Sequence, residues 1–233
     1  MKKVRKLRVD RLLMLLMGVL LIAAGILGAR YNIFPTKKYT AADFNIEVIK
    51  SSVDYDNDGI DDYADFLAGA KKDAANHPVY NGTYWPDGGY PTDYYGVCTD
   101  VIWRAFREAG YCLRDMVDND IRAYPGDYPD ADPDINIDFR RVSNLEDFFD
   151  KYAISLTTDI NKIEEWMPGD IVVFNEGMHI GMVSDYRNRK GQVYIIHNGG
   201  QPNRDEDYLK RGTVYKHYRF DASKCKDILV RWY

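Results

Sequence analysis

Residues 96–110 read GVCTDVIWRAFREAG. Val101, Ile102, Ala105, Phe106 and Ala109 recur in it at helical spacing, and Gly110 sits where a helix stops. The helix therefore begins at Cys98, whose thiol lies in the first turn, where free amides and the helix dipole favour a thiolate. Downstream the period changes. Asp170–Phe174, His179–Ser184, Gln192–Asn198 and Thr213–Phe220 are β-rich runs separated by Gly, Asn and Pro, the pattern of a meandering antiparallel sheet. Helices first and strands afterwards predict an α+β domain with its helices packed on one side of the sheet.

Around that frame the reading is coarser. Phe66, Leu67 and Ala70 mark a short amphipathic helix within Asp65–Ala75, and a loop rich in Gly, Pro and Tyr follows from His77 to Gly96. Residues 117–140, acidic and broken by Pro125, Pro129 and Pro133, read as a long loop forming a surface lid or rim. A short helix is expected around Asn144–Lys151. Residues 31–47 show no sustained periodicity and read as a linker into a folded body spanning 48–233.

Of 233 residues, 45% are hydrophobic and 29% charged, enough for one core and against a disordered or collagen-like chain. The net charge of −5 hides an asymmetry: residues 1–30 carry seven basic side chains and one acid, leaving 24 basic against 35 acidic residues in 31–233. A body that acidic repels phosphate backbones, so no nucleic-acid partner is expected. Lys2, Lys3, Arg5, Lys6, Arg8 and Arg11 precede an uncharged run of 18 residues from Leu12 to Ala29. That run suits a membrane helix with its basic flank in the cytoplasm and the C-terminal domain outside. It exceeds the apolar region of a cleaved signal and lacks an A-x-A site, so residues 1–30 are expected to stay as an anchor, the protein being secreted if they are cut. Three cysteines then leave one thiol over. A helix between Cys98 and Cys112 holds those two about 20 Å apart, so Cys112 and Cys225 are the pair that can bridge.

A thiol hydrolase needs an imidazole to carry the proton and a third group to fix that ring. His179 opens one strand and His197 ends the next. With the two strands antiparallel, their histidine ends lie side by side and can face the helix start together. Asn198 alternates to the opposite face. Asp100 can cap the helix or touch a substrate amine, and Tyr94 or Tyr95 can line the site beside the thiol. His77 and His217 have no spacing that ties them to it.

The strings GVCTDVIWRAF, WMPGDIVVF, HIGMVSD and IHN resemble the papain-like cell-wall cysteine peptidases of the NlpC type. With NIDFRRVSNLEDFF between helix and sheet, residues 48–233 are more similar still to the exported family called domain of unknown function 1287. The resemblance implies a papain-like fold with Cys98 as nucleophile, His179 as general base and His197 as the orienting residue. It implies hydrolysis of an amide bond, most plausibly in a peptidoglycan stem peptide or cross-bridge. Trp166, Pro168, Gly169 and Asp170 match the turn that starts the sheet, a structural role, and Thr99 stands where the broader family commonly has Ser. The rival expectations are a calcium-stabilised wall-binding module without catalysis, and a thiol enzyme acting on lipid or thioester acyl groups.

A separate motif precedes this domain. In DYDNDGIDDYAD, Asp54, Asp56, Asp58, Asp62 and Asp65 occupy positions 1, 3, 5, 9 and 12 of a loop with Gly59 at position 6 and the Ile60 carbonyl at position 7. That is the donor spacing of a calcium loop, with Asp where an EF-hand has its final Glu. A structural calcium ion is expected there, no metal is expected in catalysis, and no Cys or His spacing suits zinc.

Overall fold

The structure, a computed structural model, describes residues 9–31, 33–34 and 36–233, which divide between Thr36 and Lys37 into two compact units. In the first, helix α1 runs from Val9 to Arg30, 22 residues with Leu12, Leu16, Leu20 and Ile26 all exposed. At ~1.5 Å per residue it is long enough to cross a ~30 Å apolar layer, and its composition allows it. Of the basic flank, Lys2, Lys3, Arg5, Lys6 and Arg8 lie outside the described residues.

The second unit begins with α2 (Asp62–Asn76) and two short strands, β1 (Val79–Tyr80) and β2 (Tyr95–Gly96), which pair in parallel. Three helices follow: α3 (Cys98–Glu108), α4 (Leu113–Ala123) and α5 (Val142–Tyr152). The remaining strands are β3 (Ile154–Ser155), β4 (Ile171–Phe174), β5 (His179–Arg187), β6 (Val193–Ile196), β7 (Asp205–Glu206) and β8 (Val214–Arg219). They form one antiparallel sheet in the order β3-β8-β4-β5-β6-β7. The α+β class and the helix-then-sheet order are those read from the sequence.

Strand alternation divides the sheet's apolar residues between two clusters. Ile171, Val173, Ile180, Met182 and Ile196 join the helices in the main core, where Phe66 stacks on Phe106 at 4.7 Å and Phe106 meets Phe220 at 5.0 Å. Val172, Phe174, Val183 and Ile195 face the other way and are covered by Trp166, Tyr208 and Leu209. Gly110 ends α3 at φ +81°, and the Tyr111 amide turns back to the Phe106 carbonyl at 2.8 Å.

Three expectations are refined. Residues 117–140 are a surface rim only in part: from Arg122 to Pro133 they are exposed apart from Tyr128 and Ala131, but Val117 and Ile121 continue a helical stripe with Leu113 and Met116 that is buried in the core as α4. Three acids of this stretch, Asp118, Asp120 and Asp138, are buried. Asp120 accepts hydrogen bonds from Tyr128 (2.6 Å) and Lys151 (3.0 Å), and Asp138 accepts from the Asp134 amide (2.7 Å). The presumed linker is in part folded structure: Tyr39 bridges to Arg187 in both directions (2.9 and 2.7 Å), and Ala41–Phe44 is a 3-10 turn. Finally, Cys98, Cys112 and Cys225 are all free thiols. Cys112 contacts the Tyr90 hydroxyl and Cys225 the Asp221 carbonyl, each at 3.6 Å.

Gly181 is where β5 and β6 meet most tightly. A Cβ there would lie 2.7 Å from Ile195 Cγ2, 2.9 Å from the Ile196 carbonyl and 3.0 Å from His197 Cβ. Gly181→Ala is expected to push the strands apart and lower stability by about 1–3 kcal/mol. Urea denaturation should show a lower midpoint, and an unchanged one would mean that the strand pair yields freely.

Candidate functional site

The start of α3 is fixed by a buried carboxylate. Asp100 Oδ2 accepts from the Val97 amide at 2.6 Å and Oδ1 from Trp103 Nε1 at 2.7 Å, while Arg140 donates to both oxygens at 2.8 and 3.0 Å. Asp100 has no exposed surface and its oxygens are fully engaged. It is a helix cap, and its assignment as a substrate contact is withdrawn. Thr99 extends the same clamp by donating to the Arg140 carbonyl at 3.0 Å.

Cys98 is only 7% exposed. Burial pushes its thiol up to about 11, against the amides of Ile180 and Thr99, which donate to the sulfur and favour the thiolate. Desolvation thus outweighs the helix-start effect expected from the sequence. Ile180 follows His179, so the thiol lies against the very start of β5. No hydrogen bond joins thiol and imidazole among the described residues, a looseness common in unliganded sites.

His179 Nε2 and His197 Nδ1 are 2.8 Å apart, and His197 Nε2 lies 3.0 Å from Glu206 Oε1. This chain fixes the tautomers. Glu206, ion-paired with Arg211, can only accept, so His197 carries its proton on Nε2 and accepts at Nδ1. His179 must then donate from Nε2, which leaves Nδ1 as its free base. Burial holds both imidazoles down to about 3, with the charges of His197 and Arg211 adding to the effect on His179 and those of Arg211 and Arg204 to that on His197. At neutral pH the resting site is therefore a neutral thiol beside neutral imidazoles.

The sheet end is tied to the helix end by the next residue, Asn198, whose Nδ2 donates to the Gly96 carbonyl at 2.9 Å. Gln201 Nε2 donates to the His197 carbonyl at 2.9 Å, and Tyr208 lies with its ring centroid 4.2 Å from that of His197. Among the tyrosines named from sequence, Tyr94 is 66% exposed and stands edge-on to Tyr95, whose carbonyl is held by Arg104 at 2.8 Å. Burial raises the hydroxyls of half-exposed Tyr80 and of Tyr208, and a thiolate at Cys98 would raise both further.

Sequence reading missed Glu206, Gln201, Tyr208 and Tyr80. Only the order of the sheet brings β7 beside β6, and no local spacing announces it. His77 and His217 lie apart from the site: His77 Nε2 is 2.8 Å from the Pro202 carbonyl, and His217 stacks on Trp166 at 3.9 Å between the Thr157 carbonyl and Asp170. Asp170 also accepts from Arg219 at 2.7 Å, which accounts for the turn motif as structure. Two polar surface clefts, one lined by Lys72, Asp93 and Arg107 and the other by Lys71, His77 and Arg204, include none of Cys98, His179 and His197.

The acidic loop is also in place. Asp54, Asp56 and Asp58 offer oxygens within 4.8 Å of one another, and Gly59 takes φ +94°. Asp62 is drawn away, accepting from the Tyr55 amide at 3.0 Å and the Tyr111 hydroxyl at 2.6 Å. Asp65 is 3% exposed, and its Oδ2 has no partner among the described residues. Burial raises Asp62 to about 6 and Asp65 to about 7, and the charges of Asp58 and Asp56 push Asp65 the same way.

A raised thiol and lowered imidazoles have a kinetic signature. Alkylation of Cys98 by iodoacetamide should be slow at pH 7 and rise about tenfold per pH unit towards pH 10. A rate that levels off between pH 5 and 7 would instead reveal a preformed thiolate–imidazolium pair.

The chain is 37% identical over 150 residues to the uncharacterized protein YijF of Escherichia coli strain K12, a match covering 61% of this chain and 72% of that protein. No solved structure matches it. Residues 67–220, which hold Cys98, both histidines and Glu206, match the model of a domain of unknown function, DUF1287, and the chain belongs to that family.

Proposed function

We propose that the chain is a membrane-anchored, extracytoplasmic cysteine hydrolase with a papain-like, NlpC-type active site that cleaves amide bonds in peptidoglycan stem peptides or cross-bridges. The observation that carries this reading is the relay His179–His197–Glu206, with bonds of 2.8 and 3.0 Å, whose first member precedes Ile180, the residue whose amide donates to the Cys98 sulfur at a helix start. Four such groups drawn from α3, β5, the end of β6 and β7 exceed what packing alone requires, and a buried imidazole behind a half-buried one has a ready use as a proton path.

In this mechanism the thiol of Cys98 attacks the amide carbonyl carbon as its proton passes to His179 Nδ1. Attack and proton transfer are coupled because neither ion is favoured in the resting site. The positive charge gained by His179 is spread through His197 towards Glu206, while amides at the start of α3 stabilise the oxyanion. His179 then protonates the leaving amine, and the carbon–nitrogen bond breaks. Water, giving a proton to the same imidazole, hydrolyses the thioester to a carboxylic acid and restores the thiol.

An apolar helix of 22 residues supports the anchor, and it would hold the enzyme beside the wall. The test is mass spectrometry of fragments released from purified peptidoglycan by the full chain in detergent, beside Cys98→Ala and Glu206→Gln. Wild type should yield new peptide termini that vanish with Cys98→Ala. Glu206→Gln, which weakens the hold on His197 and the ion pair with Arg211, should lower kcat by roughly 10²–10⁴. Empty traces from folded wild type would remove the wall-hydrolase reading and favour a binding module or an acyl substrate. Equal activity in wild type and Cys98→Ala would remove the nucleophile.

A further inference from the structure

Asp65 is out of place as an ordinary helical acid. It lies in the first turn of α2, where carboxylates usually face solvent, yet it is 97% buried and Oδ2 meets no donor among the described residues. An unpartnered buried carboxylate is strongly unfavourable unless a counter-charge completes it. The charges that act on it most are those of Asp58 and Asp56, members of a triad whose oxygens already lie within 4.8 Å of one another. Two observations thus meet at one place: a cluster of three carboxylates around an open loop, and a buried fourth with a bare oxygen in the same field.

We infer that Asp54, Asp56, Asp58 and Asp65 hold one calcium ion, with the Ile60 carbonyl, and that the ion clamps the start of α2 to the α3–α4 corner. Oxygen donors alone, several of them carboxylates on a flexible loop, suit calcium better than magnesium, which demands a smaller and more regular shell. Asp62 takes a different part from the one its spacing indicates. Both its oxygens are engaged by Tyr55 and Tyr111, so it ties the loop to the corner, whereas Asp54, Asp56 and Asp58 accept only from amides within the loop itself, at 2.8–3.2 Å, and stay turned to its centre with Asp65 as the fourth acid. Tyr55 stacks on Tyr111 at 4.1 Å, and Arg231 donates to the Asp56 carbonyl at 3.1 Å. Gly110 completes the contact, because a Cβ there would lie 2.7 Å from Asp56 Cβ. An ion in the loop would therefore stiffen α2, the α3–α4 turn and the C-terminal segment together. This inference does not depend on the hydrolase reading.

The test uses the full chain in detergent, stripped with EGTA and titrated with calcium chloride alone to roughly 1 mM, the weak end of the range for extracellular calcium modules. Calorimetry should give one site per chain, with the melting temperature rising by several degrees and a much smaller rise from magnesium. Terbium should bind the same site and emit on tyrosine excitation through Tyr55, and calcium should displace it. Asp65→Asn carries the decisive contrast. It removes a buried charge and should melt higher than wild type in EGTA, while calcium affinity falls at least tenfold and the thermal shift disappears. Asp56→Asn should lose the shift without that gain, and Asp87→Asn, an exposed acid elsewhere, should behave as wild type. Absence of calcium binding by folded wild type, or undiminished binding by Asp65→Asn, would overturn the site.

Discussion

The buried pair of Asp100 and Arg140 is the constraint on which the rest of the site depends. Neither side chain has appreciable exposure, and Arg140 meets Asp100 through two parallel hydrogen bonds. The same carboxylate caps the Val97 amide and receives the Trp103 indole, so one group sets the backbone entry into α3, the rotation of that helix and the segment around residue 140. Breaking such a pair by removing one partner leaves a buried charge and typically costs about 3–5 kcal/mol. The position of Cys98, two residues before the cap, follows from it.

From the sheet side a second tie meets the first. Asn198 reaches from the end of β6 to the Gly96 carbonyl, and the Ile180 amide donates to the Cys98 sulfur. Helix start and strand ends are thus joined by backbone and amide contacts, independently of any thiol–imidazole bond. The outcome is a dry site. Helix dipole and amides pull the thiol towards its anion, burial pushes it back, and burial prevails. Keeping Cys98 and the histidines neutral until attack begins is a physical consequence of how little of the thiol reaches water.

Charge is distributed less simply than the composition implies. The body's excess of acid is partly internal: Asp100, Asp120, Asp138 and Asp170 each receive several donors and act as connectors between elements. The loop at Asp54–Asp65 is the exception: Asp73, Asp118 and Asp205 also leave one oxygen bare but pair the other with Arg104, Arg122 and Lys71, whereas buried Asp65 meets no cation among the described residues. The same residue type therefore serves as cap, internal brace and bare carboxylate, according to the donors that the fold brings to it.

The helix of Cys98, the strands of the sheet and the meeting of His179 with His197 were legible in the sequence, because each rests on local periodicity plus one antiparallel pairing. Residues 117–140 were misread only at their start: Pro125, Pro129 and Pro133 mark an exposed segment as expected, while Leu113, Met116, Val117 and Ile121, which decide the helix, straddle the boundary of that stretch. The thiol's ionisation was also misjudged, since a helix start is visible in sequence and the depth of burial is not. What the sequence by itself determined is the α+β class and the residues competent for chemistry. What only the tertiary structure decided is Glu206 behind His197, Asp100 as a cap, and Asp62 engaged where Asp65 is bare. Arg140 reaches Asp100 across 40 residues of chain and Tyr111 reaches Asp62 across 49, while Glu206, only nine residues from His197, meets it because β7 pairs with β6, and no spacing rule carries that information.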